Sequence, residues 1–184
     1  MHSTCRDTTT RAARRYVSPR TRPLTSEEAQ VRALAYMLKD LDCDKDMVEA
    51  AAREMAKLIE GERGYLIPVP SHTRSTVAIR RLATAIAFCT GGKFEVADVL
   101  DRKEQTESSC VRHRNKLPPL RPEDHLIFLA RPDRIALTGT ARIYFVDNVI
   151  TSGNTIEACR QAMLGLGTGL VYADAHHDAP NNVA

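Results

Sequence analysis

Apolar residues recur every three to four positions in two neighbouring segments near the N-terminus, which is the spacing of an amphipathic helix. The first helix is predicted to begin at Thr25, whose hydroxyl can cap it, ahead of the acidic residues Glu27 and Glu28. The second is predicted to begin between residues 42 and 46 and to end near Gly61. Their apolar faces consist of Val31, Leu34, Leu38 and Leu41, and of Val48, Ala51, Met55, Leu58 and Ile59. We therefore expect a helical hairpin over residues 25–62.

From residue 65 onward, short apolar runs alternate with segments of helical spacing. Such runs, with few polar residues, are typical of strands that are buried on both faces of a sheet. Strands are predicted at residues 65–67, 94–100, 126–129, 143–146 and 170–175, and helices at residues 77–89 and 156–166. Because strands alternate with helices, the fold class predicted for residues 63–178 is α/β, with a mainly parallel sheet flanked by helices. Residues 179–184 form a short tail in this division.

Residues 1–24 differ from this pattern because they hold almost no large apolar side chains. They contain six arginines against a single acidic residue, Asp7. Such a segment buries too little surface to offset its ordering entropy, so we predict a basic, disordered tail. The alternative is an arm that binds nucleic acid or another partner. The net charge of +3 is too small to imply nucleic acid by itself.

The composition is that of an ordinary globular protein. No window approaches the roughly 18 uncharged apolar residues that a membrane span needs, and no apolar stretch follows the basic N-terminus as it would in a secretory signal. The five cysteines are scattered and none forms a CxxC pair, which argues against a zinc site or a disulfide framework. We expect reduced thiols, a cytoplasmic location and no membrane partner.

The stretch IYFVDNVITSGNT, residues 143–155, carries the strongest chemical signal. A buried strand ends near Asp147, and a loop with one glycine leads into a helix. Ligands of parallel sheets bind beyond the carboxyl ends of the strands. Backbone N–H groups at the helix start, hydroxyl donors and Gly153 can cradle an anion, while the carboxylate of Asp147 can accept hydrogen bonds from sugar hydroxyls. These residues therefore predict a site for a sugar phosphate.

This string closely resembles the signature of type I phosphoribosyltransferases, in which a buried strand ends in two acidic residues, two apolar residues and T-[ST]-G-x-T. The resemblance implies the type I phosphoribosyltransferase fold. It also implies an enzyme that binds 5-phosphoribosyl-1-pyrophosphate with Mg²⁺ and exchanges pyrophosphate for a nitrogenous base, or runs the reverse from a nucleoside monophosphate. It places Asp147 and Asn148 at the ribose as catalytic residues, with Asp147 also contacting the metal indirectly. The implied phosphate-binding residues are Thr151, Ser152, Gly153, Asn154 and Thr155.

Two further segments are similar to the ComF-type, competence-associated subgroup of this family. The first is IPVPSHTR, residues 67–74, whose loop binds pyrophosphate in the wider family; the residues implied here are Ser71, His72, Thr73 and Arg74. The second is RHRN, residues 112–115, within the polar segment 102–124, for which we expect a mobile loop or a small hairpin rather than core. Its implied mobile-loop residues are Arg102, Arg112, Arg114 and Asn115. The three arginines, with Lys103 and Lys116, could screen pyrophosphate. A solvated turn and a solvated charged surface are the respective alternatives.

One departure separates the chain from the family pattern. Asn148 stands where most members have a second acid, so it adds no negative charge near the developing oxocarbenium ion. The alternative function is therefore binding without catalysis, by a sensor of phosphoribosyl pyrophosphate or a nucleotide that acts through a partner. A third, weaker idea is action on nucleic acid through the Arg-rich N-terminus. The sequence names no general base; His72 and His113 are candidates because the unperturbed pKa of histidine lies near neutrality.

The resemblance covers residues 64–175 and leaves the predicted helical hairpin unexplained. In this family such additions often form the hood that recognises the base, so residues 25–62 could serve as a hood. A homodimer is a further expectation. His176 and His177 have no third ligand at suitable spacing, so we interpret them as the end of a strand rather than a metal pair.

Overall fold

Five parallel strands form the centre of this computed structural model, which describes residues 10–18, 22–136 and 141–175. Along the chain the strands are β1 (Thr10–Arg15), β2 (Gly64–Pro68), β3 (Phe94–Val96), β4 (Leu100–Arg102), β5 (Ile127–Leu129), β6 (Arg142–Ile150) and β7 (Thr168–Asp174). The main sheet has the order β1-β7-β6-β2-β3 with every neighbouring pair parallel, and β4 pairs with β5 in a separate antiparallel ribbon. The predicted α/β fold with a mainly parallel sheet is confirmed.

Helices cover both faces of the main sheet. The covering helices are α1 (Ser26–Met37), α2 (Lys45–Lys57), α3 (Val77–Cys89) and α5 (Asn154–Ala162), and the short helix α4 (Ser109–Arg114) belongs to the segment between β4 and β5. The apolar side chains of α1, α2 and α3 join Leu66, Tyr144 and Leu170 in one core layer. On the other face, α5 and the β4–β5 ribbon pack over Phe145 and Val171. The two helices predicted over residues 25–62 are present; α1 lies over β6 and β7, α2 lies along α3, and the hood role stays a prediction.

The start of α1 follows from side chains that are close together in the sequence. The hydroxyl of Thr25 accepts a hydrogen bond from the N–H of Glu28 at 3.2 Å, and the carboxylate of Glu28 accepts one from the N–H of Thr25 at 2.9 Å. This reciprocal pair is a capping box, which satisfies two backbone donors that the helix cannot. The bounds of α3 also agree with the helix predicted at residues 77–89.

The prediction of a disordered tail is wrong for residues 10–15, which form the edge strand β1. The backbone of β1 pairs in parallel with β7 along its whole length. The side chain of Arg11 donates to the carboxylate of Glu62 at 2.7 Å and to the carbonyl oxygen of Leu58 at 2.6 Å. Pairing with a distant strand thus orders this segment although it has few apolar side chains. Because Arg11 is already paired with an acidic residue, the alternative of a nucleic-acid-binding arm is weakened. Residues 1–9 of that tail lie outside the described residues.

The single strand predicted at residues 94–100 is wrong, because the chain forms two strands that belong to different sheets. The N–H of Ala97 still donates to Leu66 O of β2 at 3.0 Å, whereas the N–H of Val99 donates to Ala97 O at 3.0 Å and closes a tight turn. Beyond this turn the chain leaves the main sheet and β4 pairs with β5. Apolar residues continue through the turn, so their pattern could not reveal it.

Candidate functional site

Two polar loops leave neighbouring strands at the carboxyl edge of the main sheet. One follows β2 and contains residues 71–74, and the other follows β6 and contains residues 151–153. β2 and β6 are paired, with Pro68 opposite Val146, so both loops open at the same edge. The structure therefore brings together the two segments that the sequence predicts to bind pyrophosphate and the 5-phosphate.

The β6–α5 loop (residues 151–153) leads into the first turn of α5, where residues 154 and 155 provide further backbone donors. Gly153 begins the helix in the left-handed conformation, with φ of 76°, which a residue with a Cβ atom adopts only with strain. The N–H of Glu157 donates to Gly153 O at 2.9 Å, and the N–H groups before it have no acceptor within the helix. Thr151 and Ser152 are exposed beside them. Amide donors, hydroxyl groups and the positive end of the helix dipole together suit this loop to an anion.

Asp147 and Asn148 point to opposite faces of the sheet. The predicted strand ends at residue 146, but β6 continues to Ile150, where it still pairs with β7. Successive side chains of a strand alternate between faces, so these two residues face different core layers. Asn148 lies beneath α1, where it is 1 % exposed and its Nδ2 donates to Ala35 O at 2.5 Å. The amide of Asn148 is therefore enclosed rather than exposed at the edge, and its role at the ribose stays a prediction.

Asp147 lies on the α5 side of the sheet and keeps a half-buried carboxylate at the edge. One of its oxygens accepts a hydrogen bond from the N–H of Asn148 at 2.8 Å. Burial raises the pKa of Asp147, while the positive charge of Lys39, that hydrogen bond and the charge of Arg102 oppose the rise. A poorly hydrated carboxylate near two cations is well suited to accept hydrogen bonds from ligand hydroxyls.

Arg102 lies in the interior rather than on a mobile loop, so this part of the loop prediction is wrong. It is the last residue of β4, and its side chain is 3 % exposed. Its Nε donates to Pro70 O at 3.0 Å, and its Nη1 donates to His125 O at 2.8 Å and lies 3.2 Å from His125 Nδ1. The pairing of β4 with β5 draws Arg102 inward. Its guanidinium therefore joins the loop after β2 to the turn before β5.

His125 is a buried histidine that the sequence pattern did not single out. It is 5 % exposed, and burial followed by the charge of Arg102 lowers its pKa from 6.5 to about 4. The imidazole is therefore neutral near pH 7, and its Nδ1 can accept a hydrogen bond from Arg102. His125 stands in a polar segment without apolar periodicity, so no sequence signal marked it as buried.

The β2–α3 loop (residues 69–76) holds its hydroxyl groups in a defined turn. The N–H of Ser71 donates to Ser75 O at 3.0 Å, and the hydroxyls of Ser71 and Thr73 lie 2.9 Å apart. Arg74 has a positive φ of 70°, and its Nη2 lies 3.5 Å from the carboxylate of Asp101. The loop thus offers two adjacent hydroxyls, and it holds Arg74 in a weak, exposed ion pair that a ligand could displace.

The charge of Lys39 acts on His72 at this edge, although the two residues are far apart in the sequence. His72 is exposed in the β2–α3 loop, and its carbonyl oxygen accepts a hydrogen bond from the N–H of Thr106 at 3.0 Å. Burial, followed by the charges of Lys39 and Arg102, lowers the pKa of His72, which favours a neutral imidazole. Lys39 follows α1, outside the region covered by the family resemblance, and no sequence pattern marks it as part of this edge.

The rest of the predicted mobile loop contains the short helix α4 and several internal contacts. The Nε of Arg112 donates to Pro118 O at 2.9 Å, so this arginine is tied within its own segment. The Nδ2 of Asn154 donates to Leu120 O at 2.7 Å and connects the segment to the start of α5. Arg114 and Asn115 are exposed, and the side chain of His113 lies outside the described part. The mobility of the segment stays a prediction.

Metal ligation would depend on few protein groups at this edge. Within residues 10–18, 22–136 and 141–175, no three or more His, Cys, Asp or Glu side chains are grouped so that they could hold a metal ion. The described cysteines Cys43, Cys89 and Cys159 are free thiols. His176 and His177 lie outside the described residues.

None of the helices in the described part of the chain has both the length and the apolar character needed to cross a membrane. Comparison of the chain with protein-family models and with curated proteins finds no match. The residues and geometry at the carboxyl edge of the sheet are therefore the basis on which a function can be proposed.

Proposed function

We propose that the chain is a phosphoribosyltransferase of the type I family, closest to its ComF-type subgroup. It would bind 5-phosphoribosyl-1-pyrophosphate and transfer the phosphoribosyl group to a nitrogenous base with release of pyrophosphate, or catalyse the reverse. The observation that carries this proposal is the meeting of the β6–α5 loop, the β2–α3 loop and Asp147 at one edge of the parallel sheet. The residue string 143–155 supplies the resemblance to the family. The free thiols agree with a cytoplasmic location.

Each part of the edge has a task in this reaction. The β6–α5 loop binds the 5-phosphate through amide and hydroxyl donors. The bond from ribose C1 to the pyrophosphate oxygen breaks as the bond from the acceptor nitrogen to C1 forms. Asp147 accepts hydrogen bonds from the ribose hydroxyls and stabilises the positive charge that develops on the sugar. The hydroxyls of the β2–α3 loop, with Arg74, hold the departing pyrophosphate.

The donor set fits a magnesium ion that is held mainly by the substrate. Mg²⁺ keeps several waters and typically binds through one or two carboxylates together with substrate phosphates. Asp147 offers one half-buried carboxylate at the edge, which agrees with the indirect contact implied by the resemblance. When bound with the substrate, the ion would help to neutralise the charge of the pyrophosphate.

A sensor that binds phosphoribosyl pyrophosphate without turnover is the second candidate. The observation that favours it is the position of Asn148, whose amide lies beneath α1 and leaves Asp147 as the only member of the pair at the edge. A single carboxylate provides less stabilisation for a developing cation than the two acids typical of the family. The β6–α5 loop serves both candidates equally well.

Binding and turnover distinguish the two candidates. Calorimetric titration with phosphoribosyl pyrophosphate and Mg²⁺ should detect binding, and an assay with purines, pyrimidines and small amines should detect pyrophosphate release. Pyrophosphate release that is lost in Asp147→Asn but kept in the control Asp133→Asn, at an exposed position, supports the enzymatic function. Tight binding with no release for any base contradicts the enzyme and supports the sensor. A wild-type protein that does not bind the ligand contradicts both.

A further inference from the structure

The last turn of α1 and the chain that follows it cross the carboxyl edge of the sheet and are attached at both ends. At its start, Ala35 O accepts the hydrogen bond from Asn148 of β6. At its end, Arg81 of α3 donates from Nη1 to Leu41 O at 2.6 Å and from Nη2 to Cys43 O at 2.8 Å. We call residues 35–43 the crossing segment. Because α3 follows the loop after β2, the crossing segment extends from the β6 end towards the region above β2.

Lys39 lies in the middle of the crossing segment. Its neighbour Leu38 is 2 % exposed and anchors the turn in the core, whereas Lys39 itself is exposed. Lys45, a few residues later, forms an ion pair with Glu49, but Lys39 forms none with any carboxylate in the described ranges. The charge of Lys39 acts on both Asp147 and His72, which follow β6 and β2 respectively. Because the segment that carries it is attached to β6 at Ala35 and to α3 at Leu41 and Cys43, the exposed Lys39 lies at this edge of the sheet, where its charge acts on both strand ends.

The cations around this position favour an anionic ligand. The side chain of Arg102 donates a hydrogen bond to Pro70 O near the start of the β2–α3 loop. Lys39 lies on the crossing segment at the same edge of the sheet. Two positive charges that converge beside one loop raise the local positive potential and attract anions. Asp147 opposes this potential from the β6 side, so the anion belongs nearer to the β2–α3 loop than to β6. The 5-phosphate, by contrast, has its own donors at the start of α5 on the opposite face.

We propose that Lys39 is a ligand-binding residue that contacts the diphosphate of 5-phosphoribosyl-1-pyrophosphate above the β2–α3 loop. The inference depends on the proposed binding of that ligand and adds the segment after α1 to the site. Asn148 and Arg81 are positioning residues in this arrangement, because they attach the crossing segment to β6 and to α3. The buried amide of Asn148 thus acts on the site through α1 rather than by touching the ribose.

The test uses three ligands with the full-length protein: inorganic pyrophosphate, ribose 5-phosphate and phosphoribosyl pyrophosphate, each with Mg²⁺. In Lys39→Gln, the Kd for pyrophosphate should rise at least about tenfold, as expected when a hydrogen bond to a charged group is lost. The Kd for ribose 5-phosphate should change less than about twofold, since its donors lie elsewhere. Lys39→Arg should restore part of the affinity for pyrophosphate. Lys93→Gln, at an exposed lysine before β3 at the opposite edge of the sheet, is the matched control and should match the wild type.

Arg81→Gln provides a second variant, which leaves Lys39 in place but releases one attachment of the crossing segment. It should weaken binding of pyrophosphate and leave ribose 5-phosphate unaffected. Equal pyrophosphate affinity in Lys39→Gln and wild type, with normal binding of ribose 5-phosphate, overturns this inference and leaves the proposed function intact. A wild-type protein that binds none of the three ligands overturns both.

Discussion

Two adjacent residues of β6 have different surroundings because they lie on opposite faces of the sheet. On the α5 side, Asp147 keeps a half-buried carboxylate beside the β6–α5 loop and near Arg102. On the α1 side, Asn148 is enclosed, and its amide is bonded to the backbone of Ala35. The α5 side therefore leaves polar groups accessible at the proposed site, whereas the α1 side uses them to hold a helix. The difference shows that two side chains next to each other in a family-like string can have separate roles, because a strand sends them to opposite faces.

The largest effect is expected from Asn148→Asp. The family pattern alone would suggest that this change restores a missing catalytic charge. In the structure it removes the donor to Ala35 O and places a carboxylate in a buried layer, so we expect the free energy of unfolding to fall by about 3 kcal/mol or more at pH 7. Urea unfolding measures this change. The deficit should shrink at acid pH, where the introduced carboxyl is protonated and can donate to the carbonyl.

The exposed residue Asn115 offers the control for that experiment, since Asn115→Asp should leave stability nearly unchanged. A fully stable Asn148→Asp variant with higher turnover would contradict the comparison between the two faces. It would mean that Asn148 reaches the same side as Asp147.

The second effect concerns the α5 side. In the double variant Thr151→Ala and Thr155→Ala, binding of ribose 5-phosphate should weaken by at least roughly 1.5–3 kcal/mol, because hydrogen bonds to a charged phosphate are lost. The free energy of unfolding should change much less, since Thr151 is exposed. Calorimetry and urea unfolding compare the two quantities. The control Thr84→Ala, at an exposed position of α3, should bind normally, and unchanged affinity in the double variant would remove the loop from the site.

Asp147→Asn should lower turnover without lowering the stability of the protein. Burial raises the pKa of Asp147, so the charged form is disfavoured in the folded state and costs stability above that raised pKa. The variant should therefore be at least as stable as the wild type at pH 7. This advantage should decline as pH falls through the raised pKa and vanish below the ordinary carboxyl value of about 3.9. Thermal unfolding at several pH values measures it.

Pyrophosphate release is the second measurement for this variant. Asp147→Asn should lower turnover more than it weakens binding of phosphoribosyl pyrophosphate, as expected for an interaction that strengthens in the transition state. Turnover at the wild-type rate would exclude a catalytic role for Asp147.

The smallest effect at neutral pH is expected from His125→Asn, which can keep a hydrogen-bond acceptor for Arg102. The pKa of His125 is lowered from 6.5 to about 4 in the folded protein, so the unfolded chain takes up the proton first. This histidine therefore costs stability as pH falls from 6.5 towards 4. The variant should lose less stability than the wild type across that window, as measured by urea unfolding. Identical pH profiles would show that the imidazole is not held neutral beside Arg102.

Some elements of this protein follow from the sequence because their causes are local. Thr25 and Glu28 cap α1 from positions three residues apart, and the periodic apolar residues of α3 mark a helix with the bounds that were predicted. The strand–loop–helix that contains Gly153 is equally local, since its glycine, hydroxyls and flanking apolar residues lie within a few positions. The parallel arrangement of the sheet follows from the alternation of strands and helices.

Other features depend on partners that are distant in the sequence, and only the tertiary structure decided them. β1 exists because β7 offers an open edge about 160 residues later, and β6 extends past residue 146 because β7 continues beside it. That extension sends Asn148 to the α1 side. The β4–β5 pairing buries Arg102, and the attachments to Asn148 and Arg81 bring Lys39 to the edge. In these cases a backbone pairing or a long-range hydrogen bond, rather than the local sequence pattern, determines where a strand forms and where its polar residues lie.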